Sequence, residues 1–146
     1  MKKPTPAARS RARRFALQAL YQIQLSGCSA AEVESQFRHD FDMKRVDTAY
    51  LHDLISGIDS ELAELVDAFV PALDRPEGEL GPVEKAILLI GTYELLHRID
   101  IPFRVVINEN VELAKQFGGS ESHRLINSVL DSVARQHRTA EIRSRE

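Results

Sequence analysis

Cysteine is nearly absent: Cys28 is the only one in 146 residues, which excludes a disulfide framework and any zinc site built on clustered thiolates. Long apolar runs are missing as well. The longest, residues 86–90, is far too short to cross a bilayer, and no apolar signal segment follows the basic start. Asn-Gly and Asp-Gly hairpin turns do not occur, and Val, Ile and Thr do not collect in alternating runs, so a β architecture is excluded. There is no Walker loop, dinucleotide fingerprint or nucleophile elbow. His52 and His123 have no cysteine or acid at metal-ligand spacing, and the carboxylates are scattered over polar helix faces. These absences describe a protein that is not an enzyme and takes no cofactor and no metal. Its single thiol fits the reducing cytoplasm.

One absence is local. Acidic residues outnumber basic ones, 22 to 19, yet residues 1–25 contain no acid at all. That segment holds Lys2, Lys3, Arg9, Arg11, Arg13 and Arg14, a charge of +6 against -9 for the remainder. A cationic arm on an acidic body implies an anionic partner, with nucleic acid first and an acidic protein or membrane surface next.

What is present reads as helix after helix. Glycine and proline number only seven and six, and they mark Ser26-Gly27, Gly57, residues 74–82, Pro102 and Gly118-Gly119. Between these marks the 3.6-residue period predicts seven helices: 8–25, 30–39, 47–57, 60–72, 82–97, 102–118 and 120–137. Ser29 is a good N-cap for the second, Pro82 a favoured first position for the fifth, and Ser120 opens the seventh. At 43% apolar content the chain can build a sizeable core. The expected architecture is all-α: one domain over 1–146, with a basic arm (1–14) and two packed helical subbundles, about 8–73 and 82–138.

Two helices carry readable faces. In the first, Ala12, Ala16, Ala19 and Ile23 form a narrow stripe suited to close packing. Opposite lie Arg11, Arg14, Gln18 and Tyr21, with Leu17 and Leu25 alongside, while Arg9 and Arg13 point elsewhere. Guanidinium forks grip phosphates and an aromatic ring stacks on bases, so this face suits single-stranded RNA. The competing reading buries Tyr21, Leu17 and Leu25 in a second layer. In the fifth helix, Glu84, Leu88, Gly91 and Leu95 line up opposite the core stripe as a candidate partner-binding strip, with Glu84 accepting from a basic partner. The alternative is a helix buried on all sides by its own bundle. Asn110 sits in the apolar stripe of the sixth helix and is expected to find a backbone carbonyl or a water.

The run PVEKAILLIGTYELLHRIDIPFRVVINENVELAKQFGGSESHRLINSVLDSVAR, from Pro82, resembles the NusB family of transcription antitermination factors. So does the N-terminal ARRFALQALYQIQLS. The VEKA, YEL, INE and ELAK elements and the SH-x-x-x-N-x-VLD pattern carry the resemblance, which covers nearly the whole chain. It implies a seven-helix fold in two subbundles. It also implies binding to the boxA element of ribosomal-RNA leader transcripts, with a small-subunit ribosomal protein that doubles as the Nus E factor. The pair would support processive rRNA synthesis within the RNA polymerase antitermination complex, alongside other Nus factors. Residue by residue, it makes Arg9, Arg11, Arg13 and Arg14 the RNA-binding arginines, with Tyr21 one helical face further on; Ser10 interrupts the arginine block. It adds an RNA contact at the join of the last two helices, at Phe117, Ser120 and Glu121, where a Gly118-Gly119 pair permits close approach and helix N–H groups stand free. Glu84 matches a partner-contacting position, and the leucine strip could also serve a homodimer of the free protein. A helical protein-binding scaffold that contacts no nucleic acid, and an RNA-delivery domain for a separate rRNA-modifying enzyme, are the competing functions; no membrane is involved.

Overall fold

A computed structural model describes residues 4–144, which form eight α-helices and two 3-10 turns and contain no strand. Lys2 and Lys3, expected to add charge to the arm, lie outside the described residues. Among the described residues no helix is long and apolar enough to cross a membrane. The chain divides into two compact units, 1–61 and 62–146.

The first unit contains α1 (Pro6–Ser26), α2 (Ala30–Asp40) and α3 (Thr48–Ser60). α1 starts two residues earlier than the periodicity predicts, because the Thr5 hydroxyl accepts from Ala8 N at 3.0 Å and Pro6 takes the first turn, where no N–H is needed. It stops at Gly27, whose φ of 72° suits glycine, and whose N–H closes onto Ile23. Ser29 caps α2 as expected, accepting from Glu32 N at 3.2 Å. Asp47 caps α3 by accepting from Tyr50 N at 3.0 Å. Ala12, Ala16 and Ala19 are fully buried, and α1 packs against both other helices of the unit on that side, over Val33, Phe37, Leu51, Leu54 and Ile55. Glu34 of α2 is buried and accepts from His52 of α3 at 2.9 Å and from Arg38 at 2.9 Å, tying α2 to α3.

The second unit contains α4 (Leu62–Phe69), α5 (Pro82–His97), α6 (Phe103–Phe117), α7 (Ser122–His137) and α8 (Thr139–Ser144). The stretch expected as one helix over 60–72 is interrupted. α3 runs on to Ser60, α4 spans only Leu62–Phe69, and Val70–Ala72 tightens into a 3-10 turn around Pro71. α4 packs on α5 and α7 with Leu65 and Phe69 completely buried, so it belongs with the second unit although the sequence pattern grouped it with the first three helices. In the stretch before α5, Arg75 donates to Asp74 at 2.9 Å and, by that bond and its charge, holds the Asp74 carboxyl below the usual carboxylate range.

α5 is enclosed along its length: residues 86–95 are all buried. Two polar groups inside the unit are matched to each other. Asn110 of α6 donates to Glu94 of α5 at 2.9 Å and to the Val106 carbonyl at 2.9 Å, and both side chains are fully buried. The expected backbone carbonyl is there, and a carboxylate is the second acceptor.

The last turn of α5 is reached by Arg138, a residue just beyond the seventh expected helix. Its guanidinium is 3% exposed and uses all five N–H donors. Nε donates to Leu95 O (2.8 Å), Nη1 to Ile101 O (2.9 Å) and Glu141 (3.0 Å), and Nη2 to Glu94 O (3.2 Å) and Arg98 O (3.0 Å). Glu141 in turn accepts from Phe103 N at 3.0 Å, so it caps the start of α6. These contacts also explain why the chain continues into α8 instead of ending at His137. Replacing Arg138 by alanine takes the side-chain donor from the Leu95 and Ile101 carbonyls and the second donor from the Glu94 and Arg98 carbonyls and from Glu141, and is expected to cost about 3–5 kcal/mol, read as a lowered denaturant midpoint. Arg138→Lys should recover only part of that loss, since an ammonium has three donors and no planar fork.

Candidate nucleic-acid interface

α1 contains no acidic residue, and its outward face carries Arg11, Arg14, Gln18 and Tyr21 within about 80° of arc. At 1.5 Å per residue the stripe is about 15 Å long. Gln18 is exposed, Tyr21 keeps 39% of its surface and Leu25 62%, so these two do not bury in a second layer; Leu17 does, at 2%. Arg14 is half-buried along its stem and makes no hydrogen bond or ion pair among the described residues. Arg11 donates one N–H to the Arg45 carbonyl at 3.1 Å, which brings the loop between α2 and α3 onto the head of the stripe.

The other two arginines do structural work. Arg13 is 3% exposed and lies over the Tyr50 ring at 5.4 Å, so its expected role as an RNA contact is corrected: the guanidinium is inside the unit. Arg9 lies over the same ring, 4.9 Å from the Tyr50 centroid and 3.6 Å from the Asp47 carboxylate. Positions 9 and 13 are one helical turn apart and both face α3, whereas 11 and 14 face away.

In the second unit the join of α6 and α7 is built from Phe117, Gly118, Gly119, Ser120 and Glu121. Phe117 is 42% exposed, off the core stripe of α6. Ser120 and Glu121 are exposed, and Glu121 pairs with Arg124 at 3.3 Å. Ser120 does not open the last helix. α7 begins at Ser122, whose buried hydroxyl accepts from Gly119 N (3.0 Å) and donates to Glu84 (2.9 Å). Gly118 is extended, with φ -92° and ψ 177°, so left-handed backbone is not what it supplies. It supplies room: a Cβ there would lie 2.7 Å from the Ser122 Cβ and 2.8 Å from the Ala114 carbonyl.

The strip expected on α5 is corrected. Leu88, Gly91 and Leu95 are buried inside their own unit, and the helix has no exposed leucine face for a partner or a second copy. Gly91 is required by close approach, because a Cβ there would meet Leu130 Cδ1 at 2.5 Å. Glu84 is half-buried, and its two oxygens take Gly81 N (3.3 Å) and the Ser122 hydroxyl (2.9 Å). It is a bracket between the starts of α5 and α7.

Periodicity could not separate these cases, since a second helix covering the far side leaves the pattern of α5 unchanged. Nothing in the periodicity singles out the loop pair Lys44 and Arg45, since a basic pair in a loop has no helical spacing.

The NusB family model matches residues 10–135. The transcription antitermination protein NusB of Marinobacter nauticus is 49% identical over 142 residues, covering 97% of this chain and 90% of that protein. The one from Alcanivorax borkumensis is 50% identical over 141 residues, covering 97% and 94%. Among solved structures, a crystal form of T. maritima NusB superposes with a TM-score of 0.81 at 28% identity, over 98% of this chain and 99% of that one.

Two substitutions check the local geometry. Gly91→Ala should cost about 1–3 kcal/mol by overpacking against Leu130, despite alanine's better helix propensity, and a smaller residue at 130 should return part of it in a double-mutant cycle. Ser122→Ala should lower the melting point by the equivalent of about 1 kcal/mol, as Glu84 loses a donor.

Proposed function

The chain belongs to the NusB family, and from that premise we propose that it acts in transcription antitermination by holding a single-stranded transcript on the outward face of α1. The observation that carries the reading is the α1 stripe: Arg14 without an internal partner, Arg11 with donors to spare, then Gln18 and an exposed Tyr21, on a helix with no acid to repel phosphate. Arginine forks hold the backbone and the tyrosine ring takes a base. The exposed Phe117 and the Ser120-Glu121 turn supply a second contact in the other unit, with the aromatic ring stacking and Glu121 accepting from a base amino group.

The transcript is the boxA element of a ribosomal-RNA leader, and the partner is a small-subunit ribosomal protein within the polymerase complex. Family membership supports both. The partner docks elsewhere than on Leu88, Gly91 and Leu95, which have no surface to offer. The work is binding, not catalysis, and it is done in the cytoplasm where transcription occurs.

Titrating labelled boxA RNA against salt tests this reading. Arg14→Ala should weaken binding and flatten the slope of log K against log salt by about 0.7, the loss of one phosphate contact on a single strand. Tyr21→Ala should weaken binding by about 1–3 kcal/mol with the slope unchanged, because stacking releases no counterion. A protein-binding scaffold would show no RNA affinity at low salt, and unaltered binding by both variants would refute the stripe.

A further inference from the structure

The loop between α2 and α3 is tied to α1 in three places. The Phe41 ring packs on Phe15 of α1 and Phe37 of α2, each at 5.3 Å between centroids. Asp47 N donates to the Ala8 carbonyl at 3.2 Å. Arg11 donates from Nη1 to the Arg45 carbonyl at 3.1 Å. Between the outer ties the backbone turns, with Val46 N donating to Met43 O at 3.1 Å and Lys44 N to the Asp42 carboxylate at 2.9 Å. The loop is therefore held against the head of the α1 stripe.

Its two cations face solvent there. Lys44 and Arg45 are exposed, and neither side chain has a hydrogen bond or ion pair among the described residues. The nearby acids are already engaged: Asp40 with His39 at 3.0 Å, Asp42 with the Lys44 N–H, and Asp47 with Tyr50 N and Arg9. Arg11 is the joint between the two surfaces, since the residue whose carbonyl it grips carries the next guanidinium.

We propose that Lys44 and Arg45 extend the RNA track from the head of the α1 stripe onto the loop between α2 and α3, taking two further phosphates of the same strand. The extension rests on the reading of the α1 stripe given above. It assigns a structural task to Arg11 in addition to phosphate binding, and it places sequence-independent affinity in a loop outside the arginine-rich segment.

The test compares three variants of the full chain with labelled single-stranded boxA RNA across 50–200 mM salt. Lys44→Ala with Arg45→Ala should weaken binding and reduce the slope by about 1.4, so that its loss of affinity across that salt range is about sevenfold smaller than for the unaltered chain. The charge-conserving pair Lys44→Arg and Arg45→Lys should keep the original slope, which separates charge from loop shape. Arg14→Ala reports on the stripe itself. If the double-alanine variant binds as the unaltered chain does while Arg14→Ala weakens binding, the extension is overturned and the stripe stands. If neither weakens binding, the reading of α1 fails and the extension with it. Circular dichroism and melting should be unchanged for all three, since the altered side chains make no hydrogen bond or ion pair among the described residues.

Discussion

A helix surrounded by its own bundle must find donors for the carbonyls of its last turn, because water cannot reach them. In the second unit that demand falls on α5, and one guanidinium meets it. Arg138 is a buried cation whose five donors are all used, four on carbonyls of the α5 end and the following turn and one on Glu141. Glu141 then caps α6. Both ends of the α5–α6 connection are thus fixed by two residues three positions apart at the start of α8. Without the arginine, the Leu95 and Ile101 carbonyls lose their side-chain donor and Glu141 loses the partner that holds it at the start of α6.

The same unit admits a second polar device. Glu94 and Asn110 are wholly enclosed, yet the amide reaches both the carboxylate and a backbone carbonyl. The two bonds from the amide nitrogen restrict how the helices can slide, since a shift of one turn would break both, while the buried Asn110 Oδ1 accepts no hydrogen bond among the described residues. Beside them Gly91 lets Leu130 approach the α5 backbone. Position along α5 is therefore set by hydrogen bonding and by close packing at adjacent turns.

The first unit solves a different problem, which is to keep a basic helix both packed and available. Alanines at 12, 16 and 19 let α1 sit close to its neighbours. Arg9 and Arg13, on the flank facing α3, are drawn over the Tyr50 ring, with Asp47 beside Arg9. Arg11 and Arg14, a few residues along, turn away from α3. Four arginines that look alike in the chain are divided by the 100° step of the helix into two that turn onto the Tyr50 ring and two that turn away from α3, one of which also holds the Arg45 carbonyl.

Much was legible from residue order alone. Capping at Ser29, the glycine stop at 27, the alanine stripe and the exposed arginine face all follow from local chemistry and from a period that any helix must obey. Those features depend on neighbours within a turn or two, so the chain specifies them by itself. Tertiary contact decided the rest: that Leu88 and Leu95 are enclosed, that α4 joins the second unit, that Arg138 is a buried cap, and that Arg45 sits beside Arg11. Each of these joins residues tens of positions apart or depends on what covers a face, and periodicity records which side of a helix a residue occupies without recording what lies against that side.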